Sequence, residues 1–368
     1  FKKYGKKLKD QQEGDMSCDS LSRSKAQDFS LMTHQEIVRD YINIYTPYRG
    51  LLLYHGLGAG KTCASIGIAE GLKTTNKVII MTPASLRQNY ISELTVCGDP
   101  LYRLNQFWEF IPTGGDSNVA RTLSQAMGLS EEFIRKKGGA WLVNIKKPSN
   151  FESLSTADKL ALNEQIDRMI KTKYIFINYN GLRKSDRVLG DLKALSKTNN
   201  PFDDKVIIVD EAHNFVSRIV NKLSKPSSLS YMMYEWLLAA QNCRIVFLTG
   251  TPIINYPNEM GVMFNMLRGY IRTFIFTVNV QTSEVVNQQT VENIFSRFSL
   301  HDYVEYDNAS KRIKITRNPF GFVNVNRDGT YSGVKRNKGN NKCDKRKKGR
   351  DCQKGFSCEN TGKDGEED

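Results

Sequence analysis

The chain has 368 residues, 39% of them apolar, and a mean hydropathy of −0.47, enough for two or three domains with a buried core. No apolar run approaches the roughly 20 residues that cross a bilayer, so no membrane partner is expected. The net charge of +14 sits mainly at the ends: five lysines fall in the first nine residues, and nine Lys/Arg stand against one Asp in 335–350. The body between is only mildly basic, which removes composition as an argument for a DNA-binding groove. Seven scattered cysteines, an odd number, fit a reduced, intracellular compartment better than a disulfide framework.

Residues 1–30 are polar and aperiodic and read as a linker or the end of a preceding region. The first residue is Phe rather than Met, so the chain is expected to be a piece of a longer one. From Leu31 a helical pattern runs through His34–Ile42, and strands and helices then alternate. Leu51–Tyr54 predicts a strand, Thr62–Leu72 a helix, Lys77–Met81 a strand and Pro83–Leu94 a helix. Tyr174–Asn178, Val206–Asp210 and Arg244–Leu248 are β-branched runs without polar alternation, as parallel strands buried on both faces require. This rhythm predicts an α/β domain with a doubly wound parallel sheet over 31–260.

Residues 95–170 interrupt the rhythm with the aromatic stretch Phe107-Trp108-Glu109-Phe110 and a helix over Ser155–Ile170, and read as an insertion. A small α+β segment is expected over 261–325: a helix, Thr273–Val280, a helix near Val291–Phe298, then a hairpin-like pair, Tyr303–Tyr306 and Arg312–Thr316. From about Asn326 to Asp368 the chain is Gly/Lys/Asn-rich, basic then acidic, and predicts a tail without regular structure. The run Lys345-Arg346-Lys347-Lys348 fits a solvated linker better than a nucleic-acid or localisation patch. Cys343, Cys352 and Cys358 match no standard zinc spacing.

Two motifs carry chemistry. The strand Leu51–Tyr54 leads into His55-Gly56-Leu57-Gly58-Ala59-Gly60-Lys61-Thr62, a P-loop in which backbone N–H groups bind phosphate oxygens at a helix N-terminus. Lys61 is expected to reach the β- and γ-phosphates of ATP, and the Thr62 hydroxyl to bind Mg²⁺. The strict pattern has glycine where this chain has His55, a minor departure because glycines remain at 56, 58 and 60. The second motif, Asp210-Glu211-Ala212-His213, ends another buried strand. Asp210 is expected to hold the Mg²⁺ shell, Glu211 to orient and deprotonate the attacking water, and His213 to link that site to a partner motif.

Asp-Glu-Ala-His followed by Thr249-Gly250-Thr251-Pro252, 39 residues after Asp210, resembles the first RecA-like domain of superfamily 2 helicases and translocases of the DEAH-box and SNF2 type. The resemblance implies a RecA-like P-loop NTPase fold with ATP and Mg²⁺ as cofactors. It implies that Gln35 contacts adenine, that Thr249, Gly250 and Thr251 couple hydrolysis to movement, and that Thr82, Ser85, Arg87 and Asn178 contact a nucleic-acid backbone. For each of these last four a capping or turn role is equally consistent with the residues. Leu52-Leu-Tyr-His-Gly-Leu-Gly-Ala-Gly-Lys-Thr62, Thr-Gly-Thr-Pro-Ile-Ile-Asn255 and Arg317-Asn-Pro-Phe-Gly-Phe-Val323 are similar to helicases of nucleocytoplasmic large DNA viruses. That group includes the poxvirus-type early transcription factor small subunit and nucleoside triphosphatase I. It implies a DNA-dependent motor in viral transcription, with a viral RNA polymerase or transcription factor subunit as partner, in the virion and host cytoplasm. An RNA helicase, a restriction-type motor subunit and a non-catalytic binding fragment are the alternatives. The family's late motif, Gln-x-x-Gly-Arg-x-x-Arg, does not occur, so a fragment lacking the second RecA domain is expected, binding ATP·Mg²⁺ weakly and hydrolysing it poorly.

Overall fold

The computed structural model describes residues 4–5, 31–56, 58–73, 77–194, 196, 198–271, 273–279, 282, 285–296, 301–317, 322–327 and 330–336. They divide into two compact units: Phe1–Asn43 with Gly50–Leu267, and Ile44–Arg49 with Arg268–Asp368.

The first unit runs α1 (Thr33–Tyr41), β1 (Gly50–Tyr54), α2 (Lys61–Leu72), β2 (Lys77–Thr82), α3 (Arg87–Cys97), β3 (Trp108–Pro112), α4 (Ser117–Met127), α5 (Glu131–Lys137) and β4 (Gly139–Val143). It continues with α6 (Thr156–Lys173), β5 (Tyr174–Asn178), α7 (Arg187–Ala194), β6 (Lys205–Val209), α8 (Ala212–Val220), α9 (Leu229–Ala239), β7 (Arg244–Thr249) and α10 (Asn258–Arg268). Five strands form one sheet in the order β1-β7-β6-β2-β5, every pairing parallel. The β-branched runs are buried on both faces. Val78, Ile80, Val206, Ile208, Val246 and Leu248 enter one core with α2 and α3. Their neighbours Ile79, Met81, Ile207, Val209, Ile245 and Phe247 enter the other, with α8, α9 and α10. Period-two alternation thus sends an apolar side chain to each face at every step, and the strands can lie only inside a doubly covered sheet. This is an α/β domain with a doubly wound parallel sheet.

The insertion between β2 and β5 shares the first core. β3 and β4 pair as an antiparallel ribbon, and Trp108, Phe133, Trp141 and Leu162 pack with the α2 and α3 residues. Buried Gln165 on α6 ties down β4: its Oε1 accepts from the Trp141 N–H at 2.8 Å and its Nε2 donates to the Trp141 carbonyl at 2.8 Å.

Gly50 opens β1 against the end of α10, where an added Cβ would lie 2.3 Å from the Leu267 carbonyl oxygen and 2.6 Å from its Cα. Both are backbone atoms with nowhere to move. Gly50→Ala is expected to destabilise the domain by about 3 kcal/mol; a urea midpoint shifted by less than a third of that amount would contradict the contact.

In the second unit β8 (Thr273–Thr277), β10 (Arg312–Arg317) and β9 (His301–Asp307) form an antiparallel sheet in the order β8-β10-β9. Helix α11 (Gln288–Ser296) places Val291 in a small core with Val304, Tyr306 and Ile315. A second hairpin, β11 (Phe322–Arg327) with β12 (Thr330–Arg336), corrects the expectation that regular structure ends near Asn326. The signal missed was Asp328-Gly329, a turn dipeptide between two strand-length segments. Lys345–Lys348 and Cys343, Cys352 and Cys358 lie outside the described residues.

The cysteine reading is also corrected. Against the expectation of a reduced set, Cys63 on α2 and Cys97 on α3 are joined as a disulfide, while the buried Cys243 donates its thiol to the Ala240 carbonyl at 3.5 Å. Composition could not show this, because only the packing of α2 on α3 brings residues 34 apart in sequence together.

Candidate nucleotide site and adjoining groove

The site lies at the C-terminal ends of neighbouring strands, where open α/β sheets bind ligands. β1 feeds the P-loop, β6 feeds Asp210-Glu211 and β7 feeds Thr249-Gly250-Thr251, with β7 standing between β1 and β6 in the sheet. Parallel pairing in register carries all three loops to one edge.

In the P-loop, Gly58 (φ +77°) and Gly60 (φ +67°) adopt left-handed backbone, which glycine adopts without steric cost. Leu57 lies outside the described residues. Lys61 Nζ donates to the carbonyl oxygens of His55 at 2.9 Å and Gly56 at 3.0 Å. A Cβ built on Gly250 would stand 3.8 Å from that ammonium, so Lys61 and the Thr-Gly-Thr loop are neighbours. His55 has its pKa lowered by burial, by His34 and by Lys61, and so favours the neutral ring. Helix α1 closes onto the loop: His34 Nε2 lies 3.1 Å from the Ala59 oxygen, and Gln35 Nε2 donates to the Gly60 oxygen at 3.1 Å. Gln35 Oε1 accepts from the Met32 N–H at 3.0 Å, and the side chain is buried. In this conformation Gln35 holds the phosphate loop rather than facing an open base site.

The carboxylates sit on a strained turn. The Asp210 N–H donates to the Met81 oxygen at 2.8 Å, carrying the β6–β2 pairing one residue beyond the strand. Glu211 then turns into left-handed backbone at φ +47°, unusual for a residue with a Cβ. Tyr179 holds that turn, its hydroxyl lying 3.1 Å from both the Asp210 and the Glu211 carbonyl oxygens. Burial, then repulsion from Glu211, raises the Asp210 carboxyl from 3.8 to about 6, against the pull of Lys61.

His213 joins Glu211 to the next loop. Its Nδ1 lies 2.8 Å from the Thr249 hydroxyl, 3.4 Å from the Thr251 hydroxyl and 3.4 Å from Glu211 Oε2. The Thr251 N–H also donates to Thr249 Oγ1 at 3.0 Å, which folds the loop back onto the same hydroxyl. The loop beyond is pinned by Glu259, which accepts from the N–H groups of Ile254 at 2.7 Å and Asn255 at 3.1 Å.

A groove of about 590 Å³ adjoins this site, lined among others by Ser85, Asn180, Glu211, Asn214, Arg218 and Asn255. Of the four residues expected to meet nucleic acid, Ser85 is exposed at its rim. Arg87 instead lays its guanidinium over the Phe176 ring at 5.3 Å. Thr82 is corrected: it is fully buried at the end of the interior strand β2, its hydroxyl without a partner and closed off from any phosphate. Asn178, its register partner on β5, likewise keeps its side-chain oxygen buried and unpaired. Sequence reading assigned no role to Asn214 or Arg218. For Asn214 and Arg218 a signal existed: with Glu211 they recur at i, i+3 and i+7, one face of α8.

No family model matches the chain. A protein of Acanthamoeba polyphaga mimivirus named "Putative ATP-dependent RNA helicase" is 31% identical over 235 residues, 63% of this chain and 32% of that protein. A "Putative helicase" of Frog virus 3 is 24% identical over 263 residues, 69% of this chain and 22% of that protein. The "Termination factor NPH-I homolog" of African swine fever virus is 24% identical over 252 residues, 67% of this chain and 27% of that protein. The chain thus spans about a third or less of the length of these relatives. Among solved structures, the Sulfolobus solfataricus SWI2/SNF2 ATPase core in complex with dsDNA is similar at 16% identity and a TM-score of 0.30, over 63% of this chain and 32% of that one. Among the described residues no helix is long and apolar enough to cross a membrane.

Proposed function

We propose, for a chain whose homologues are helicases of large DNA viruses, that it is the nucleotide-binding half of a superfamily 2 motor. The motor couples ATP hydrolysis to movement along nucleic acid, DNA in the first reading. The observation that supports this most is the convergence of three loops. Lys61 lies beside Gly250, and His213 bridges Glu211 to Thr249 and Thr251.

In this reading the loop from Gly56 to Thr62 binds the phosphates and Lys61 neutralises the β- and γ-oxygens. Thr62 and Asp210 hold Mg²⁺, which when bound supplies charge neutralisation on the phosphate oxygens. These residues fit the ion: Asp210 is a half-buried carboxylate that desolvation and Glu211 push toward protonation, the environment a cation relieves. Glu211 orients the attacking water and takes its proton. His213 passes the state of that carboxylate to Thr249, Gly250 and Thr251. Gln35 leaves the Gly60 carbonyl to meet adenine. Ser85 and Arg218 line the path of a phosphate backbone, with Asn178 and Arg87 holding the loops behind it.

RNA is the second reading, supported by the RNA helicase name of the mimivirus relative. A role in viral transcription, beside a viral RNA polymerase or transcription factor subunit, is supported by the termination-factor name of another. Its place is then inside the infected cell and the virion. Titration of the chain with fluorescent mant-ATP and Mg²⁺ is expected to show weak, saturable binding. Hydrolysis by this chain alone is expected to be slow, and comparing duplex DNA, single strands and RNA as stimulants separates the substrates. Absence of nucleotide binding overturns the reading, and fast DNA-stimulated turnover overturns the expectation of weak activity.

A further inference from the structure

Cys63 occupies the first turn of α2, two residues beyond Lys61, and Cys97 is the last residue of α3. They are joined as a disulfide with Cα atoms 5.7 Å apart, within the range a disulfide spans without moving backbone. Each sulfur also has an acceptor in place for its thiol form. Glu93 Oε2 stands 3.3 Å from Cys63 Sγ, and the Glu93 carbonyl oxygen 3.2 Å from Cys97 Sγ. Reduction therefore leaves no orphaned donor, and both redox forms fit the same packing.

We propose that Cys63 and Cys97 are a reversible thiol–disulfide pair that governs nucleotide binding, an inference that rests on the phosphate-binding role proposed for Lys61. The oxidant is a disulfide, either low-molecular-weight or on another protein. Cys63, at 9% exposed the more accessible of the two, lies under the exposed Glu93 side chain. Its thiolate attacks one sulfur of the outside disulfide, forms a mixed disulfide and expels one thiolate. The Cys97 thiolate then attacks the Cys63 sulfur and expels the second. Two electrons and two protons pass from the pair to the oxidant, which leaves as two thiols.

The cross-link ties the phosphate-binding helix to the helix that follows Ser85. In this bonded form Lys61 is occupied by the His55 and Gly56 carbonyls, and Gln35 by that of Gly60. A phosphate ligand must displace the lysine and Gln35 must be freed for a base, so restraining the first turn of α2 opposes the bound form. Reduction releases it.

The test uses the full chain poised in oxidised or reduced glutathione. Peptide mapping is expected to find residues 63 and 97 cross-linked only in the oxidised sample, with the melting temperature about 5 °C or more higher. Hydrogen exchange in the first turn of α2 is expected to slow on oxidation, and mant-ATP affinity to fall about fivefold or more. Cys97→Ser, and separately Cys63→Ser, should bind like the reduced chain under both conditions. Failure to find the 63–97 cross-link overturns the proposal, as does a cross-linked chain whose exchange and affinity are unchanged. Stoichiometric zinc released from the reduced chain and lost in Cys97→Ser also overturns it, showing a metal site instead. If mant-ATP binds neither form, the nucleotide reading fails, while the cross-link and exchange still decide whether the pair restrains α2.

Discussion

Lys61→Ala is expected to weaken MgATP binding by about 100-fold, because it removes a charge-assisted donor to two phosphate groups. The ammonium now rests on the His55 and Gly56 carbonyls beside Gly250, inside the loop that would meet the phosphates. Lys61→Arg should not restore affinity, since a planar fork does not fit where a point charge nests between carbonyls. Glu211→Gln separates binding from chemistry. It keeps the turn and the size of the side chain but removes the base, so affinity should hold while turnover, measured in the longest active form, falls about 10²-fold or more. Equal affinity for wild type and Lys61→Ala in an equilibrium titration would sink the site assignment.

Asp210→Asn is expected to stabilise the ligand-free protein at neutral pH by about 2–3 kcal/mol. Burial and Glu211 raise the folded-state carboxyl to about 6, from an ordinary 3.8. The folded state thus holds this proton more tightly than the unfolded chain, and stability falls as pH rises from about 4 to about 6. An amide in the same place carries no such penalty. The gain should be near zero at pH 4 and complete at pH 7.5, as read by urea unfolding at the two values. A gain independent of pH would show that charge burial is not the cause. The same variant should lose any Mg²⁺-dependent rise in melting temperature, because the cation that relieves the carboxylate has lost its ligand. Stability and proposed function oppose each other at this residue.

The sheet was legible because its signal is local. Val206–Asp210 and Arg244–Leu248 have no polar face to turn to solvent, and the strands observed, Lys205–Val209 and Arg244–Thr249, match them to a residue. The P-loop was equally plain, since glycines before Lys-Thr between strand and helix have few other uses. Less legible was anything decided by packing across the sheet. Thr82 has the composition of a phosphate contact, yet its place on the interior strand β2 buries it. Gln35 reads as a base contact, yet α1 packs so that its amide meets Gly60. Tyr179's hold on the Glu211 turn exists only because β2, lying between β5 and β6, carries their C-terminal ends to one edge. The late hairpin at 322–336 was missed because the Gly/Lys/Asn-rich composition around it outweighed the short period-two run Val323-Asn324-Val325-Asn326.

By itself the sequence determined the parallel sheet, the glycine loop ahead of Lys61 and the paired carboxylates at a strand end, because each is written in adjacent residues whose chemistry allows little else. Only the tertiary structure decided that His213 meets Thr249, that Asp210 is driven toward protonation, that Thr82 is withdrawn, and that Cys63 joins Cys97. Those facts depend on distances between residues far apart in the chain, and the burial that sets them is a property of packed layers rather than of any one segment.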